Sequence, residues 1–188
     1  SGPHCARRPQ PAAGPGVQPC MQTLSPTQLS HELREGESPD LTRRRWGIGL
    51  SLIGAAIGGV VTLYQTGIIK RLPDILPGRI WDAETVDASD YAYKRLQTPD
   101  AAMMVGTYAL TAGLIAAGGK DRAEQAPALP IAAATKALFD FATCVQLGRE
   151  EWAENKALCS WCQVATAISA VTVALTLPEA LRATRAIA

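Results

Sequence analysis

Four stretches of the chain carry few or no charges, and most of the charged residues fall between them or in the first 45 positions. The first runs over residues 46–69 without a single charge and follows Arg43-Arg44-Arg45 directly. As a helix rising ~1.5 Å per residue, it is long enough to cross the ~30 Å hydrocarbon layer of a bilayer. Trp46 and Tyr64, near its ends, suit interfacial anchoring. Residues 101–119 form a second uncharged run, just long enough to span, and residues 128–147 a third that includes Lys136 and Asp140. The fourth covers residues 157–177, closed by Pro178 with Arg182 and Arg185 beyond. Runs one, two and four are apolar or small on every face, whereas a soluble bundle shows amphipathic stripes. The pattern predicts an all-α, integral membrane four-helix bundle over residues 43–188.

The remaining segments set the organisation. Residues 1–42 form a polar tail. Its first 20 residues are rich in Pro, Gly and Ala and read as disordered, with Met21 a candidate natural start. Ser25 as N-cap, Pro26 in the first turn, and Leu29 and Leu33 four apart predict a short helix that Gly36 ends. Gly54 and Gly58 form a small-xxx-small pair that would admit a close neighbouring helix. Short loops rich in Lys and Arg stay inside, so Arg43–Arg45 predict a cytoplasmic N-terminus. The 119–125 turn and the C-terminus would share that side. The 70–100 loop and the 148–156 connector, with Glu150, Glu151 and Glu154, would lie outside.

Composition narrows the chemistry. A net charge of +1 gives no reason to expect a nucleic acid partner. Mean hydropathy of +0.05 conceals the segregation just described. The five cysteines are Cys5, Cys20, Cys144, Cys159 and Cys162, and the two histidines, His4 and His31, both lie in the tail. No span offers an axial histidine for haem, and Gln163 occupies the histidine position of a Cys-x-x-Cys-His haem motif. Zinc partners are missing near the pair in sequence, so the expected site holds neither metal nor haem. A bare dithiol remains: Cys159-Ser160-Trp161-Cys162, heading the fourth run.

Two thiols three residues apart can close a small disulfide, and the positive end of a helix stabilises a thiolate there. With hydrocarbon below and water above, such a pair suits electron exchange between a thiol and a lipid-soluble carrier. Trp161 reads either as an interfacial residue or as the flank of a quinone ring. Lys136, Asp140 and Cys144 lie at i, i+4, i+8 and share a helix face. Two opposite charges inside a span must meet each other, either as a neutralised pair or as a proton relay or polar wall beside a quinone. Cys144 is a small filler, or a third redox thiol if its end of the helix reaches Cys159.

Beyond the spans, the Val86-Asp-Ala-Ser89-Asp-Tyr91-Ala segment leads through a Pro99-containing turn into the second span, and Cys159-Ser-Trp-Cys162 opens the fourth. In these features the chain, over roughly residues 45–181, resembles the vitamin K epoxide reductase family of membrane thiol oxidoreductases, especially its bacterial members. The resemblance implies a membrane quinone, such as menaquinone or ubiquinone, held in the bundle beside the Cys-x-x-Cys. It matches Cys159 and Cys162 to the active-site pair, with Cys162 toward the quinone and Cys159 exchanging with an outer, thioredoxin-like thiol donor. Ser89 matches the family's loop serine. Thr166 stands where an aromatic residue is usual, and with Asp140 and Trp161 it completes the expected quinone-binding set. The location implied is the bacterial plasma (inner) membrane. The two loop cysteines usual in the family are absent from residues 70–100. Their absence leaves a non-catalytic membrane interaction or structural protein, with a helix-end disulfide, as the alternative.

Overall fold

In the computed structural model of the protein, residues 25–187 are described; the first 20 residues, expected to be disordered, and the candidate start at Met21 lie outside them. Seven α-helices are described: α1 (Pro26–Glu35), α2 (Pro39–Gln65), α3 (Ala83–Asp87), α4 (Asp100–Ala116), α5 (Arg122–Gln125), α6 (Ala128–Asn155) and α7 (Ser160–Ile187), with a 3-10 turn over Asp90–Tyr93. Helices α2, α4, α6 and α7 form an all-α bundle. Three of them are long and apolar enough to cross a membrane, and the shorter α4 is apolar throughout its middle. The fold class is as predicted.

Helix α1 begins as its sequence dictates. Ser25 Oγ accepts from the Gln28 N–H, Gln28 returns a bond to the Ser25 N–H, and Gly36 ends the helix. Five element ends differ from expectation. Helix α2 starts at Pro39, capped by Ser38, so the arginine cluster is helical, and it stops at Gln65. Helix α6 runs on to Asn155, so most of the expected 148–156 connector is helix. The reason is pairing: Lys94 with Glu154 and Arg95 with Glu150 tie the last turns of α6 to the 66–99 loop. Helix α7 starts at Ser160, leaving Cys159 at its N-cap, and continues through Pro178 to Ile187. Membrane helices tolerate an internal proline when neighbouring groups take up freed carbonyls.

Close packing of α2 on α4 explains Gly54 and Gly58. A Cβ at Gly54 would stand 2.6 Å from the Tyr108 ring, and one at Gly58 3.1 Å from the Ala101 carbonyl oxygen. Only glycine fits at the first without displacing the ring. At the end of the bundle that carries α1 and α5, the last carbonyls of α4 are collected by two arginines. Arg44 donates to the carbonyls of Ile115, Ala116, Ala117, Gly118 and Gly119. Arg122, expected in an exposed charged turn, is instead 2% exposed. It bonds the Leu114, Ile115 and Ala117 carbonyls and forms a two-pronged pair with Glu179 of α7, both contacts at 2.8 Å. Arg182 and Asp40 add a link from α7 to α2.

Removing one partner of a buried ion pair strands the other charge. Arg122→Met is therefore expected to cost about 3–5 kcal/mol, and Arg122→Met/Glu179→Met to recover part of that loss. Thermal unfolding of the purified protein in detergent checks it; a double variant less stable than Arg122→Met would refute the pairing.

Candidate active site at the head of helix seven

At the opposite end of the bundle, the segment of residues 66–99 folds over the start of α7. Backbone pairing begins the contact: the Leu158 N–H donates to the Ile80 carbonyl, and the Asp82 N–H to the Leu158 carbonyl. Asp74 secures it. One carboxylate oxygen accepts from the Ser160 hydroxyl at 2.6 Å and the Ser160 N–H at 3.3 Å, and the other from the Ala83 N–H at 3.2 Å. The Ser160 hydroxyl in turn accepts from the Ile75 N–H, and Trp161 Nε1 donates to the Pro73 carbonyl. One aspartate thus joins the loop, α3 and the first turn of α7.

Beneath this cover lies a core of Val61, Leu72, Ala83, Val86, Tyr91 and Cys159, with Cys159 fully buried. The Cys159 carbonyl accepts the first α7 bond, from the Gln163 N–H, and its sulfur accepts from the Cys162 N–H at 3.3 Å. Cys159 is an N-cap whose sulfur takes the place of a capping oxygen, and Cys162 is the third helical residue. The Cys159 N–H donates to Glu151 near the end of α6, and Gln163 Nε2 approaches the same oxygen at 3.5 Å. Asp87, 2% exposed at the end of α3, completes the surroundings: one of its carboxylate oxygens and the two cysteine sulfurs lie within 4.8 Å of one another. The sequence reading found no metal-compatible neighbour for the pair, whereas folding brings this third donor to it. The Cys162 bond draws the Cys159 thiol down, but burial and the Asp87 carboxylate outweigh it and push the thiol up to about 11. Burial likewise raises the Asp87 carboxyl to about 7.

Cys162, close to the same core, also lines a cavity of about 220 Å³ between α4, α6 and α7. A cavity of ~150 Å³ already holds benzene, so this one has room for a larger ring. Its apolar wall includes Met103, Met104, Phe139 and Leu147, with Phe139 largely exposed at the bundle surface. Of the expected residues, Cys162, Asp140, Thr166 and Cys144 line it together. Asp140 meets Lys136 at 2.5 Å and accepts from the Thr111 hydroxyl, while Lys136 also reaches the Thr107 carbonyl, so the pair braces α6 against α4. Cys144 approaches the Ser169 hydroxyl at 3.8 Å, two helical turns below Cys162. Ser89 and Trp161 are not among the lining residues: the Ser89 hydroxyl donates to the Val86 carbonyl, and Trp161 packs under the loop.

A vitamin K epoxide reductase family model matches residues 45–177. The chain belongs to that family. Its members are in general membrane oxidoreductases, and the matched segment contains the whole site, from the outer loop to the Cys-x-x-Cys and the cavity below it. Comparison with curated proteins and with solved structures returned no significant match.

Sequence reasoning missed Asp74, Asp87, Tyr108 and the burial of Glu151. Asp87 had one visible signal: it follows Val86 in a segment otherwise suited to packing. Tyr108, inside an uncharged run, donates to the Ala165 carbonyl at 2.6 Å and bonds the Ser169 hydroxyl, which fixes α4 to α7 beside the cavity.

Loss of the Asp74 bonds should loosen the cover over Cys159. Asp74→Ala is expected to speed alkylation of Cys159 by a small reagent about tenfold, as the loss of ~1.4 kcal/mol from the closed form would. Mass spectrometry of timed reactions measures it; an unchanged rate would show that the cover does not depend on Asp74.

Proposed function

We propose that this protein is a thiol:quinone oxidoreductase that passes electrons between the Cys159/Cys162 pair and a membrane quinone of menaquinone or ubiquinone type. The observation that carries the proposal is the division of the pair: Cys162 lines an apolar cavity of about 220 Å³ between helices, while Cys159 lies under the outer loop. When the dithiol is oxidised, one Sγ–Sγ bond forms, two electrons reach the quinone, and two protons accompany them to give hydroquinone. A thiol donor from outside then reduces the disulfide at Cys159. Thr166, Asp140 and Cys144 are among the polar residues of the cavity wall. Asp140, already held by Lys136 and Thr111, serves as a fixed polar wall. Ser89 shapes the loop, and Trp161 anchors it through Pro73.

The full burial of Cys159 favours the second reading, a membrane protein whose helix-end disulfide is structural. In the catalytic reading the segment from Leu72 to Asp82 must lift for a partner thiol to enter. A Cys162→Ser variant is then expected to trap a single mixed disulfide between Cys159 and its donor, because the neighbouring resolving thiol is gone. Cys159→Ser should trap nothing. Non-reducing gels of membranes from expressing cells show either outcome; no adduct from either variant, with both cysteines oxidised in the unmodified protein, would favour the structural disulfide.

The bilayer proposed is the bacterial inner membrane, with the arginine-rich end of the bundle in the cytoplasm and the Cys159 end outside. Single cysteines introduced into a cysteine-free variant test this. Labelling from outside is expected near Asp90 and not near Gly119, and the reverse pattern would overturn the orientation.

A further inference from the structure

We propose that the Asp87 carboxylate is the proton acceptor for Cys159 when the dithiol closes to a disulfide. This rests on the thiol:quinone reading above and gives one residue of that site its task.

The placement argues for it. Asp87 belongs to the cover and not to the bundle, yet its side chain points inward to the two sulfurs, with the closest ligand atoms of all three residues within 4.8 Å of one another. Its Oδ2 is buried and has no hydrogen-bond partner. Buried carboxylate oxygens are ordinarily bonded, since an unsatisfied one costs free energy with no structural return. The other two carboxylates at the head of α7 are bonded as structural groups: Asp74 holds Ser160 and Ala83, and Glu151 holds the Cys159 N–H. Asp87, the third, lies beside the two sulfurs and keeps one buried oxygen without a partner.

The electrostatic surroundings suit a group that changes protonation. The acids facing Asp87 are Asp74 from the loop, Asp100 from the head of α4 and Glu151 from α6. Tyr64 from α2 and Tyr93 from the 3-10 turn lie at longer range, and the two thiols are its near neighbours. Burial and these acids together hold its carboxyl near neutrality, at about 7, where an acid–base group works best. Cys159, by contrast, holds its proton too tightly to give it up unaided at neutral pH.

The step balances as follows. The Asp87 carboxylate takes the proton of the Cys159 thiol, and Cys159 Sγ bonds to Cys162 Sγ. The two electrons released go to the quinone. One of its two protons comes from the Cys162 thiol and the other is returned by Asp87, which is left ionised for the next turnover. In the opposite direction, protonated Asp87 supplies a proton to a thiolate released when the disulfide is reduced.

The test uses the full-length protein in detergent, with dithiothreitol as thiol donor and a short-chain ubiquinone as acceptor. Quinone reduction by the unmodified protein is expected to rise with pH through a limb near 7. Asp87→Asn should be slower at pH 7 by roughly 10²-fold, with its limb displaced upward by more than about one pH unit, and Asp87→Glu should restore a limb close to the original. A second readout needs no quinone: the rate of Cys159 alkylation in the reduced protein. It should be faster in Asp87→Asn at alkaline pH, because no carboxylate then opposes the thiolate. A variant that alkylates faster yet oxidises more slowly separates proton transfer from simple loosening of the cover, which would speed alkylation without moving the limb. An Asp87→Asn protein with the original limb and rate would overturn the role while leaving the thiol:quinone reading in place. An unmodified protein that is reduced by dithiothreitol but passes no electrons to quinone would overturn that reading, and this role with it. Protection of both thiols by equimolar zinc in the unmodified protein but not in Asp87→Asn, with no change in limb, would assign Asp87 as a metal ligand and overturn the proposal.

Discussion

Everything at the reactive end of this protein depends on how residues 72–83 are held against the first turn of α7. A helix start leaves N–H groups without partners, and a buried start must find acceptors for them. Here Asp74 takes the Ser160 N–H and hydroxyl, Glu151 takes the Cys159 N–H, and Cys159 sulfur takes that of Cys162. The same bonds that satisfy the helix therefore close the loop over Cys159. Leu158, paired on both sides by backbone, extends that closure into the chain leading to the cysteines. The loop is held by these polar bonds and by the apolar contacts of Leu72, Val86 and Tyr91.

This closure gives the two cysteines different environments although they are three residues apart. Cys159 is the cap, fixed by backbone and enclosed by the loop. Cys162, nearly a full turn on, also reaches the cavity, whose walls include Met and Phe side chains of α4 and α6. Tyr108 and the Lys136–Asp140–Thr111 group hold those walls at their lower end: each joins two helices by short hydrogen bonds. The cavity is thus bounded by polar ties and lined by apolar surface.

The spans were legible because hydrocarbon solvent imposes a demand that appears in every residue of a run: residues 46–69 and 101–119 have no charge to place. The Cys-x-x-Cys was legible for the opposite reason, as a local motif at a helix start. Helix ends were harder to read. The carboxylates Glu150 and Glu154 look like connector residues until Lys94 and Arg95, more than fifty residues earlier, come alongside. Arg122 looks solvated until Glu179 meets it across the bundle. Asp87 and Asp74 were invisible for the same cause. A carboxylate in a loop has the same appearance in sequence whether it faces water or sulfur, and only the fold of residues 66–99 decides between them.

The arginine clamp at the other end has a consequence for how the protein is made. Arg44 and Arg122 enter the membrane region early in synthesis, with their guanidinium groups collecting the carbonyls that α4 leaves open. Glu179, the one carboxylate that answers Arg122 directly, is on the last helix to emerge from the ribosome. Until α7 arrives, the partly built bundle carries an uncancelled positive charge against the end of its shortest helix, which favours keeping that end at the membrane surface. Docking of α7 then neutralises the clamp and brings Cys159 and Cys162 under the loop in the same event. The cancelling charge and the reactive pair are therefore carried by one and the same helix.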